Sequence, residues 1–264
     1  MRLALISLLA LLLLTAGATL WRSSWSYADQ DRLQIAAAAT AQHPIGTDEL
    51  GRDRLVRTAA ALLLDGAGAT AASALASFLA VTLACAAAFS AGWIGRFLLY
   101  LGDLFLTLPW IFLLMMVRSA LPLNLAPLHS AGVTFLLLGI LGGPAFLRLH
   151  FTRITALRRS EWMFQARASG LRPAQLVCQF LPHLRPMLLT QFVLYIPACV
   201  IAEANLGTLG LGVSEPLASW GSMLQSLQSS VFLGSSALIY LPIVMLVLIL
   251  MALELLVFSP QEVA

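Results

Sequence analysis

Long charge-free runs alternate with short polar ones along this chain of 264 residues. The apolar runs lack the two-residue alternation of a half-buried strand. Most approach the roughly 20 apolar residues that a membrane-spanning helix needs. The first covers residues 3–21, from Leu3 to Trp21, and follows Arg2. We read it as an uncleaved helix. The small-residue pattern Ala16-Gly17-Ala18 keeps a cleaved signal peptide as the rival. Residues 22–65 are polar and mixed in charge, and are expected to form an extracytoplasmic segment. A five-helix core is expected over residues 66–258. Its helices fall at 66–95, with a soft end near Gly92, and from Arg96 to Val117. The next lies within 124–147, ending near Pro144, followed by one from Pro186 to about Ala202 and one within Val231 to Val257. Six spans result. With no internal repeat evident, residues 1–264 form one transmembrane domain.

Composition supports the same reading. Hydrophobic residues make up 60% of the chain and charged residues 10%, against about 25% charged in soluble domains. Such a chain cannot cover a globule with polar surface, so its solvent is largely lipid. Backbone groups in hydrocarbon must bond internally, and long apolar runs select helices over a closed barrel. The expected class is an all-α membrane protein.

Charge then orients it. Residues 148–186 hold Arg148, Arg153, Arg158, Arg159, Arg167, Arg172 and Arg185 against one acid, Glu161. By the positive-inside rule this connection faces the cytoplasm. Six spans then place both termini there too, and Arg2 agrees. The first loop carries five arginines on the opposite side. It also carries six acids, and long loops translocate largely regardless of charge.

Every basic residue is arginine, and lysine is absent. A P-loop lysine and a Schiff-base lysine are therefore both excluded. Cys85, Cys178 and Cys199 show no metal-ligand spacing and read as reduced packing thiols. No catalytic residue, metal, cofactor or nucleic-acid partner is expected.

Three polar segments stand out. His43-Pro44-Ile45-Gly46-Thr47-Asp48-Glu49-Leu50-Gly51-Arg52-Asp53 reads as a capped extracytoplasmic segment. Thr47 or Asp48 could cap a following helix, and Asp48, Arg52 and Asp53 could pair with one another or with a second subunit. In the Arg-rich connection, Gly170 suits a helix C′ position and Pro173 the first turn of the next helix. Two short helices with a sharp turn are expected there, either as a docking knob or as an ordinary positive-inside loop. The third segment runs from Glu203 through Gly207, Gly210 and Gly212 to Ser219-Trp220-Gly221. Its glycines end a helix and turn the chain back. They are no dinucleotide fingerprint, because no βαβ pattern surrounds them. Glu203 ends an apolar run, where an acid is expensive unless paired or wet. A pathway or gate role and a structural hydrogen-bonding role both fit it. Asp103 and Glu254 are read as helix-end acids, Arg118 as an interfacial anchor, and Trp110, Trp162 and Trp220 as interfacial residues.

These three segments, in this order, resemble the permease subunits of ABC importers for dipeptides, oligopeptides and nickel, over about residues 40 to 255. The Arg-rich segment resembles the EAA loop of that family, through Ala166, Arg167, Ala168, Gly170 and Leu181-Pro182, with Glu161 one turn before. The resemblance implies the type I permease fold with a cytoplasmic coupling helix between helices four and five. It implies that Glu161, Ala166, Arg167, Ala168, Gly170, Leu181 and Pro182 couple to an ATPase, and that Glu203, Gly207, Gly210 and Gly212 shape a pathway or gate. The implied partners are a homologous permease subunit, two ATPase subunits and an extracytoplasmic solute-binding protein. The chain departs from the pattern at Phe164 and Gln165, which replace the acid and first alanine of the namesake triplet. Its C-terminus also lacks the family's short basic tail. Peptides are favoured as substrate over nickel as the broader class. The alternative is an ion-coupled secondary transporter using Glu203 and Asp103. That class normally carries inverted repeats and midplane ionisable groups.

Overall fold

The computed structural model describes residues 2–90, 92–120, 122, 126–230 and 240–258; their regular structure is helical, with residues 23–53 and 209–219 irregular and no strand beyond one isolated bridge, Thr47 to Asp53. Four helices are long and apolar enough to cross a membrane: α1 (Arg2–Arg22), α2 (Arg54–Phe89), α5 (Pro127–Arg158) and α7 (Pro173–Thr208). A fifth span results if α3 (Trp93–Thr107) and α4 (Trp110–Ala120) count together. They meet at a 90° bend around Leu108-Pro109. The shorter α6 (Glu161–Ala168), α8 (Trp220–Ser230) and α9 (Leu241–Phe258) complete the described helices. Residues 231–239, where the expected sixth span begins, lie outside the described residues.

Several expected boundaries move. The helix expected at 66–95 begins twelve residues earlier, at Arg54, because Asp53 caps it. Asp53 Oδ1 accepts the Leu55 and Val56 N–H groups at 2.8 and 3.0 Å, and Thr47 and Asp48 do not cap it. The expected third helix is broken before Pro109, which fits the restriction that proline places on the residue before it. The expected fourth and fifth helices run straight through Pro144 and Pro186. In lipid, a proline inside a helix is tolerated when neighbouring groups satisfy the freed carbonyl.

The chain forms two compact units. The first comprises Met1–Thr70, Val117–Phe135 and Ile196–Ala264. There α1 packs along α9, and α8 also meets α9. The second comprises Ala71–Met116 and Leu136–Tyr195. Its part of α2 buries a stripe of Ala72, Ala76, Ala80 and Ala84, four residues apart. Gly139 lies against Leu75, Gly143 against Leu79, and Gly142 against Tyr195, so these helices approach through small residues. Such close approach is how helices associate where lipid removes the hydrophobic drive between them. Three polar contacts join these helices: Tyr195 donates to the Leu138 carbonyl at 2.9 Å, Ser73 to Phe192 at 2.6 Å, and His150 bonds Gln191.

Candidate functional site

In the second unit, α6 sits on a core of Ala84, Ala88, Ile154, Leu157, Met163, Leu176, Phe180 and Leu184. Eight residues are too few for a helix to hold itself in water, so this core must fix it. Met163 is fully buried, and Trp162 and Ala166 pack against the core. Trp162 stacks on His183 with ring centroids 5.0 Å apart. Phe89 stacks on Phe180 at 5.8 Å, and the Arg158 guanidinium lies 4.5 Å over Phe89. The face left exposed carries Glu161, Phe164, Gln165 and Ala168, with Arg167 beside it.

Gly170 ends this helix with φ +76°. Its N–H bonds the Arg167 carbonyl at 3.0 Å, and the Leu171 N–H reaches Ala166 at 3.4 Å. That pair of bonds is the Schellman arrangement, which places a left-handed residue at C′. The expected glycine turn is present. The expected second short helix is not, because α7 continues from Pro173 to Thr208. Arg148, Arg153 and Arg158 lie on α5, and Arg185 on α7, so much of the expected connection is helix. Leu181 and Pro182 are exposed on α7. Asp103 pairs with Arg148, in line with its reading as a helix-end acid.

In the first unit the segments around His43 and Glu215 are stitched together. His43 is fully buried, bonds Asp53 through Nδ1 at 2.8 Å and packs against Trp25. Asp48 accepts from the Arg52 N–H and from its Nε, at 2.9 and 2.7 Å. Arg52 then reaches Glu215 at 2.5 Å, and Arg57 reaches the same carboxylate at 3.2 Å. Charged groups this buried persist only when paired.

Helix α7 ends on the same motif as α6. Gly210 has φ +73°, its N–H bonds Gly207, and the Leu211 N–H bonds Leu206 at 2.8 Å. The following turn approaches closely. A Cβ on Gly207 would overlap the Gly221 backbone, and one on Gly212 would lie 2.6 Å from the Gly207 Cα. Arg118 is buried rather than interfacial. It donates to the Leu211 and Gly212 carbonyls at 2.9 Å each, and to Ser130. Trp220 is also buried, not interfacial. Arg118, Gly207, Gly210, Gly212, Glu215 and Gln225 line a cavity of about 260 Å³.

Glu203 is fully buried and accepts the Gly221 N–H at 3.1 Å. Asp65, from α2, accepts the Trp220 N–H at 2.6 Å. Ser219 and Ser222 cap each other reciprocally. The first three N–H groups of α8 are thereby satisfied by side chains from three places in the chain. Sequence reasoning passed over Asp65, Glu215, Ser130 and Met163 as site residues. Ser219-Trp220-Gly221-Ser222 carried a legible capping spacing. The pairing of Asp65 with α8, 155 residues on, had no local signal. Among the described residues no cluster of three His, Cys, Asp or Glu could hold a metal ion.

A family model described as binding-protein-dependent transport system inner membrane component matches residues 53–260. The chain is 26% identical over 221 residues to an oligopeptide transport system permease protein, OppC, of Bacillus subtilis, with 83% of this chain and 68% of the relative covered. It is 28% identical over 221 residues to a dipeptide transport system permease protein, DppC, of Alkalihalophilus pseudofirmus, covering 83% and 70%. It is 27% identical over 235 residues to OppC of Haemophilus influenzae, covering 82% and 69%. The chain spans about two thirds of the length of the relatives it matches, down to 66% for one from Brucella suis.

Proposed function

We infer the function of this chain from its membership: it belongs to the family of binding-protein-dependent transport system inner membrane components. It is a multi-pass inner-membrane protein of a transport permease family. We propose that it is the permease subunit of an ATP-driven ABC importer for dipeptides or oligopeptides, and that it forms half of the translocation path. The names of its relatives support the substrate class. It pairs with a homologous permease subunit, two ATPase subunits and an extracytoplasmic solute-binding protein. It has six spans with both termini in the cytoplasm. No finding favours the ion-coupled alternative.

One observation carries the mechanism: α6 is pinned by a buried face while Glu161, Phe164, Gln165, Arg167 and Ala168 stay exposed. A rigid, exposed helix between two long membrane helices suits a docking knob. In this reading the ATPase moves α6, and α5 and α7 carry that movement into the membrane. ATP binding shifts the balance between inward- and outward-facing states through differential contacts with each. Glu203, Gly207, Gly210 and Gly212 shape the outer mouth. Energy comes from the partner, because a chain without lysine holds no P-loop.

The test is uptake of a labelled peptide by proteoliposomes holding the complex with and without its ATPase. Uptake should require both ATPase and ATP. Uptake by this chain without the ATPase, driven by a proton gradient, would overturn the proposal.

A further inference from the structure

The carboxyl groups of Asp65 and Glu203 are both fully buried. They lie within hydrogen-bonding reach of each other. Each accepts one N–H of the first turn of α8, and each leaves its other oxygen, Asp65 Oδ1 and Glu203 Oε1, without a hydrogen bond of good geometry, although the Val213 N–H and the Ser219 side chain also approach Glu203. The charged group facing each carboxylate is the other carboxylate. Among the described residues, the arginine salt bridges go to Asp48, Asp103 and Glu215, and the buried Arg118 beside Gly212 donates to the Leu211 and Gly212 carbonyls and to Ser130.

Two acceptors can bond each other only through something positive between them. Two ionised carboxylates in contact, away from water, would repel strongly, and a helix N-terminus offsets about half a charge. The glycines close the site. A Cβ on Gly212 would lie 3.2 Å from Glu203 Oε1, and one on Gly221 would lie 3.0 Å from it.

We propose that Asp65 and Glu203 form a two-carboxylate site that holds one positive charge, a proton or a sodium-sized cation. The charge belongs to the folded protein and is not cargo. It joins α2, α7 and the start of α8, because both carboxylates need it to stay together under the α8 N–H groups. The site accounts for the oxygens left without partners, which backbone capping alone does not. It does not depend on the peptide-importer reading, since it concerns the fold of this chain in any complex.

The test uses the full-length chain with its co-expressed partners, in detergent. Infrared difference spectra in H₂O and D₂O report a buried protonated carboxyl. Thermal midpoints in sodium against choline chloride report a bound cation. A proton predicts a protonated-carboxyl band, lost in both Asp65→Asn and Glu203→Gln. A cation predicts a midpoint that rises with sodium in the parent and in neither variant. Each amide keeps an oxygen for the α8 N–H group, so both variants should still insert. The parent measurements need no variant. A parent with neither a protonated-carboxyl band nor sodium dependence overturns the proposal, as does either signal persisting unchanged in both variants.

Discussion

Arg118 shows how a charge can serve as backbone in this fold. Its guanidinium holds the Leu211 and Gly212 carbonyls, which the turn after α7 leaves without helical partners. Leaving a buried acceptor unsatisfied costs about 1–3 kcal/mol. Arg118→Met should therefore lower the stability of the complex in detergent by about 2–6 kcal/mol, for the two carbonyls. Arg118→Lys should recover only part of this, because an ammonium lacks the planar fork. Thermal unfolding followed by gel filtration reads the difference. Equal midpoints for all three proteins would refute this role. In sequence, Arg118 at the end of an apolar run looks the same whether it snorkels or turns inward. The carbonyls it serves lie more than ninety residues away, so its partner was not legible.

At the scale of elements, lengths decide what the helices can do. Helices α5 and α7 have 32 and 36 residues, or about 48 and 54 Å at 1.5 Å per residue. Hydrocarbon takes about 30 Å of that. The remainder extends past the bilayer, and in the proposed orientation that part includes Arg153, Arg158 and Arg185 at the α6 end. Hydropathy located the apolar part of each helix well. It missed the extensions because a polar helix beyond the membrane reads like a loop. The α6 turn was legible, because Gly170 is one of the few residue types that hold a positive φ cheaply. No atom lies within 4 Å of the place a Cβ would take there. A substitution is therefore strained by backbone alone, by about 1–2 kcal/mol. Gly170→Val should leave the chain inserted and paired with its partner permease, while ATPase co-purification weakens and transport is lost. Arg167→Glu, on the exposed surface of α6, should act in the same direction. Parental transport by both variants with ATPase bound would make the segment an ordinary positive-inside loop.

For the whole molecule, the all-α class and the three segments were legible because lipid leaves few options for backbone and glycine marks its turns. The partnering of distant segments was not. The proposed topology puts Ser169 in the cytoplasm and His43 to Asp53 outside. In a cysteine-free background, Ser169→Cys should react with a membrane-impermeant maleimide only after the membrane is opened on the cytoplasmic side. Leu50→Cys, at an exposed position, should react from outside. Labelling of Ser169→Cys from outside alone would reject the orientation.

The stitch between Arg52, Arg57 and Glu215 also bears on how the protein is made. The arginines emerge from the ribosome about 160 residues before their carboxylate, and Asp48 alone partners Arg52 in the meantime. A nascent chain thus carries this cluster unfinished until the chain up to Glu215 has been made. A product cut short before Glu215 keeps two arginines lacking that counter-charge, in a segment that would otherwise be closed.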